Sequence, residues 1–167
     1  MRPITVSCGH RQMVHPAVAE VLFPTDDELL IAIQGLHIGM HRLCQLAHEL
    51  GKLHGQLLPA LPGISQLSAE MRSRRIELMD AIDSWVTQRL PVPHPRASLH
   101  TETIGPVIDR MVQAQVRACH LLMTLKVTDD RIHAAWTRLA ELADGYTDLT
   151  TDIINRARRL PDLGECW

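Results

Sequence analysis

The chain has 167 residues, enough for one domain with a real core. Apolar residues make up 46% of it and aromatics only 3%, so the core must be built from Leu, Ile, Val, Ala and Met, which favours helices over a β-sandwich. A net charge of −2 excludes a global positive field that would hold nucleic acid, and no apolar run reaches the roughly 18 residues of a membrane span.

The first residues, Met1-Arg2-Pro3-Ile4-Thr5, lack the long apolar centre of a signal peptide, so a cytoplasmic location is expected. The four cysteines, Cys8, Cys44, Cys119 and Cys166, then read as reduced thiols. Residues 1–23 hold no sustained period and are expected to form an irregular N-terminal arm.

Residues 24–161 carry four helical patterns. Thr25 followed by Glu28 is a capping box, and Asp26, Asp27 and Glu28 suit the positive end of a helix. Leu29, Ile33, Leu36, Met40, Leu43, Ala47, Leu50, His54 and Leu57 then form one seam, ended by Pro59 and Pro62. A second helix spans about Ser65 to Leu90, with Arg75 interrupting the seam Leu67, Met71, Leu78, Ile82, Trp85. Pro91, Pro93 and Pro95 make an extended connection to the third helix. That helix starts near Thr103, with Pro106 in its first turn, and its seam is Ile104, Ile108, Met111, Gln115, Ala118, Leu122 and Leu125. The fourth starts at Thr128 and buries Ile132, Trp136, Leu139, Ala143, Tyr146, Thr150, Ile153, Ala157 and Leu160, before Pro161 and a tail over 162–167. The expected fold is all-α, a four-helix bundle with an irregular arm and a Pro-rich link between its second and third helices.

Two features of the first helix point beyond packing. Gly35, Gly39, Gly51 and Gly55 form two i, i+4 pairs, each glycine costing about 1 kcal/mol relative to alanine. Two smooth patches of this kind fit a homodimer seam. In the same helix His37, His41, Cys44 and His48 lie within an arc of about 60°. Imidazole and thiolate at this spacing suit a divalent transition metal, with His37, His41 and His48 as its ligands. Cys44 between His41 and His48 is also the pattern of a thiolate–imidazolium pair.

The segments Glu77 to Trp85, Thr101 to Arg110 and Ala118-Cys119-His120 resemble the bacterial family known as domain of unknown function 4254, best over residues 72–122. The resemblance implies an all-helical bacterial cytosolic protein and no particular activity. It points to Glu102 at a helix start, Asp109 and Arg110 within the third helix, and His120 beyond them. An arginine on an apolar seam needs a counter-charge, so Arg75 and Arg110 are expected to pair with Asp83 or Asp109. Arg75, Asp83, Glu102, Asp109, Arg110 and His120 are thus the candidate ligand-binding residues, for a small molecule held between the second and third helices. The expected function is a binding or interaction module, as a homodimer or through that site. The alternative is a metal-binding protein or metal-dependent enzyme using a His/carboxylate cluster.

Overall fold

The computed structural model of the chain describes residues 22–58 and 69–162. Five helices and two very short strands occur among them: α1 (Asp26–Ile33), α2 (Arg42–Leu57), α3 (Ala69–Thr87), β1 (Ser98–Leu99), α4 (Ile104–Thr124), α5 (Asp130–Ile154) and β2 (Arg158–Arg159). The protein is all-α in class, but the first expected helix is two. The expected arm falls outside the described residues except for Leu22 and Phe23, and Phe23 is buried in the core. The stops at Pro59 and Pro62, the helix start at Ser65, Leu67, the tail beyond Asp162, Cys8 and Cys166 lie outside them as well.

Helix α1 begins where its capping box dictates: the Glu28 amide donates to Thr25 Oγ1 at 3.2 Å and the Thr25 amide to Glu28 Oε2 at 2.9 Å. It ends after two turns because Gly35 takes the left-handed conformation, φ +76°. The Gly35 amide then donates to the Ala32 carbonyl and the Leu36 amide to the Ile31 carbonyl, the paired bonds of a Schellman stop. Gly39, at φ +64°, completes the turn. The seam is therefore not continuous, and Leu36 and Met40 are exposed. Helix α2 restarts at His41, whose Nδ1 accepts from the Leu43 amide at 3.2 Å.

The four glycines consequently do not lie on one helix. Gly35 and Gly39 serve the turn. Gly51 lets α2 lie against the end of α1, since a Cβ there would stand 2.9 Å from the Ile33 carbonyl oxygen. A Cβ at Gly55 would meet nothing within 4 Å among the described residues.

Helix α4 packs against each of the other four helices and is the axis of the fold. Ile104, Ile108, Met111 and Val112 from α4 meet Leu29, Leu43, Leu50, Ile82 and Tyr146 in one core. Three further expected seam positions are exposed: Leu122 beyond the last buried turn of α4, Trp136 at the surface of α5, and Ala157, which with Leu160 falls beyond the end of α5.

The Pro-rich link is extended and meets the segment after α5 in a two-residue parallel pairing, Ser98 with Arg158 and Leu99 with Arg159. Helix α5 starts at Asp129, one residue later than expected, where the carboxylate accepts from the Arg131 amide at 3.0 Å. It ends in a second Schellman stop, with Arg156 at φ +62°. No helix among the described residues is long and apolar enough to cross a membrane.

Candidate functional site

Three helices converge on Asp109. It sits on the inner face of α4 and is almost wholly buried. From α3, Arg75 donates Nε to both of its carboxylate oxygens, at 3.0 and 3.1 Å, and closes the fork with Nη2 on Oδ2. From α2, the buried His54 places Nε2 2.9 Å from Oδ1. Burial would push the Asp109 carboxyl up, but the hydrogen bonds from His54 and Arg75 outweigh it and leave it below the ordinary value. An ionised carboxylate only accepts, so the His54 proton facing it is on Nε2. Nδ1 of a neutral His54 is then an acceptor, and it has no hydrogen-bond partner among the described residues.

The other candidates do not join one network. Asp83 meets no arginine among the described residues. Its Oδ2 accepts from the Thr103 hydroxyl and its Oδ1 from the Gly105 amide, both at 2.7 Å. It therefore caps α4 from the neighbouring helix, in place of Thr103, whose side chain caps nothing. Burial raises the Asp83 carboxyl, with the Thr103 and Gly105 donors pulling it back only in part. Arg110 pairs with Glu102 through Nη1 on Oε1 at 2.7 Å and Nη2 on Oε2, and this fork holds the Glu102 carboxyl below its ordinary range. His120 lies farther along α4, half-buried, and makes no side-chain hydrogen bond or ion pair to the other five.

The histidine row is broken by the turn. His37 is in the loop before α2. His41 caps that helix and packs against Trp85, ring centroids 5.3 Å apart. His48 places Nδ1 3.1 Å from the Ala32 carbonyl oxygen. Among the described residues no three His, Cys, Asp or Glu side chains converge on a point fit for a metal. Burial pushes the Cys44 thiol up to about 11, the opposite of what an activated thiolate needs.

Beside Asp109 the surface opens into a cleft of about 490 Å³ between α2, α4 and α5. His54 and Leu57 line it from α2, Arg110 and Arg117 from α4, Arg138 and Leu142 from α5. Among the described residues no carboxylate lines it. Arg110 is held by Glu102, and Arg138 reaches Glu141 only at 3.6 Å. Arg117 has no ion-pair partner among the described residues. A smaller cleft of about 280 Å³ adjoins it, shares Arg117 and Arg138, and adds Arg131. This cleft lies on the α2 and α5 side of α4, away from the α3–α4 seam. Sequence reasoning missed His54, Arg117 and Arg138. The signals were a histidine on an apolar seam, which needs a partner as much as Arg75 does, and arginines seven residues apart, at 110 and 117 and again at 131 and 138.

The family model described as "Protein of unknown function (DUF4254)" matches residues 65–161, a wider span than the motifs at 72–122. No curated protein and no solved structure matches the chain.

Proposed function

We propose that this chain, which belongs to the DUF4254 family, binds a small anionic molecule in the cleft between α2, α4 and α5. The observation that carries this reading is the lining of the cleft: three arginines and a histidine, with no carboxylate among the described residues, in a chain whose net charge is −2. Positive charge gathered in one concave place against an acidic average favours an anionic ligand there. The volume suits a small molecule, and the gap between bundle helices is a common place for one. Guanidinium groups match the oxygen pairs of carboxylates and phosphates, which makes those two groups the natural anions.

Leu57, Ala114, Val116 and Leu142 give the cleft apolar walls for the rest of such a ligand. The Glu102 carboxylate holds Arg110 at the rim without filling the cleft. If α1 and α2 count as one interrupted helix, the protein is a four-helix bundle of the bacterial cytoplasm with its ligand site on one side of the central helix.

Titration calorimetry with ethyl phosphate and with propionate tests the reading. Saturable binding of at least one is expected, weakened about tenfold or more by Arg117→Ala, a loss of about 1.4 kcal/mol. Absence of heat from both at millimolar concentration, with the protein folded, would remove it.

A further inference from the structure

We propose that the anionic ligand of this cleft also carries a hydroxyl group, and that His54 Nδ1 accepts a hydrogen bond from it. The inference rests on the anion-binding reading above and names the ligand class more closely: a hydroxylated phosphate ester or hydroxy acid.

The argument runs through the buried trio. Asp109 is gripped by the Arg75 fork and stays ionised, so it offers only acceptors to the imidazole. His54 Nε2 at 2.9 Å must therefore donate. In the neutral ring this leaves a lone pair on Nδ1. The side chain is only 5% exposed, lines the cleft, and has no second partner among the described residues. An acceptor at the wall of an apolar-sided cleft is costly to cover with an apolar ligand, because its water is lost and nothing replaces it. A ligand with a donor at that point restores the bond. Sites of this kind discriminate strongly against the analogue that lacks the hydroxyl.

The charged groups around His54 fit the assignment. Arg110 and Arg117 from α4 and Arg138 from α5 line the same cleft. Asp109, on the opposite side, is already matched by Arg75. The guanidiniums bind the anion, and the imidazole reads its neighbour.

Two measurements test this on the full chain. Long-range proton–nitrogen correlation spectra should show His54 protonated at Nε2 and bare at Nδ1, with the Nδ1 resonance moving on addition of 2-hydroxyethyl phosphate. A proton resident on Nδ1 alone would overturn the proposal. Calorimetry should give 2-hydroxyethyl phosphate at least about tenfold tighter binding than ethyl phosphate. In folded His54→Gln or His54→Phe protein the two should bind equally. Equal affinity for the unaltered chain sinks the hydroxyl while leaving the anion site standing. If neither phosphate nor carboxylate binds at all, the anion site itself falls.

Discussion

Asp109 is the residue on which stability and site geometry depend together. Its carboxylate is buried between Arg75 and His54, and removing it would leave a guanidinium without its counter-charge and an imidazole N–H without its acceptor inside the fold. Breaking a buried pair on one side typically costs about 3–5 kcal/mol. Arg75 keeps a third of its side chain in water, so Asp109→Ala should fall near the lower end, about 3 kcal/mol by urea denaturation. The pH dependence has a definite sign. The folded carboxyl titrates below its unfolded value, so its contribution is complete above that unfolded value, about 3.9, and is lost as pH falls through the folded one. Asp83 works the other way: its raised carboxyl favours the fold below the ordinary value, and that contribution disappears as pH rises through the raised one. Stability measured between about pH 2 and 5 should therefore decline less steeply with acid in Asp109→Asn than in the unaltered chain. An unchanged acid slope would mean that Asp109 is not ionised against its partners.

The glycines of α2 and α4 separate two roles that the same residue type can have within a helix. A Cβ at Gly51 would press on the Ile33 carbonyl oxygen, and one at Gly105 would stand 2.6 Å from the Met79 carbonyl oxygen and 2.8 Å from Asp83 Oδ2. Neither backbone oxygen can turn aside, so Gly51→Ala and Gly105→Ala should each cost about 1–3 kcal/mol. Gly55 meets nothing within 4 Å, and Gly55→Ala should instead raise stability by up to about 1 kcal/mol through helix propensity. Thermal melts of the three variants check the ordering. A destabilising Gly55→Ala would show that this face is covered by something else. The element boundaries themselves were partly legible. Thr25 and Glu28 announced α1 because a capping box is a local device. The break at Gly35 was not read because glycine four apart also suits a helix face. Only the φ at that position, set by where α1 must stop to let α2 turn back, decides between the two. The Thr101 to Arg110 motif was legible as a helix start, but not as a contact map. Its Thr103 and Gly105 serve Asp83, its Glu102 serves Arg110, and its Asp109 serves Arg75 and His54, each through pairings between residues far apart in the chain or on another turn.

At the scale of the molecule, α4 joins everything, yet the first and last helices are also tied directly. The buried Tyr146 hydroxyl on α5 donates to the Pro24 carbonyl at 2.9 Å, across 122 positions of sequence. Tyr146→Phe would leave that carbonyl without its partner and should cost about 1–2 kcal/mol, read as a shift in the urea midpoint without a change in slope. No periodicity could announce this bond, because Tyr146 reads as one more apolar seam position. The same holds for the pairing of the Pro-rich link with the end of α5, since two residues of strand leave no pattern.

That pairing changes how the chain can come apart. The amides of His94, Ser98 and His100 donate to the carbonyls of Arg156, Ala157 and Arg159, and Arg156 returns Nε to the Val92 carbonyl at 2.6 Å. A two-stranded pairing of this length has no stability of its own. It persists because α3 with α4 and α4 with α5 already fix its two strands. It therefore acts as a latch: opening it requires the end of α5 to fray or the link to lift. In deuterated water those three amides should exchange as a single group, at the rate of the last turn of α5 and far more slowly than other loop amides. The fold then loses its ends cooperatively, with loop and helix terminus leaving as one unit.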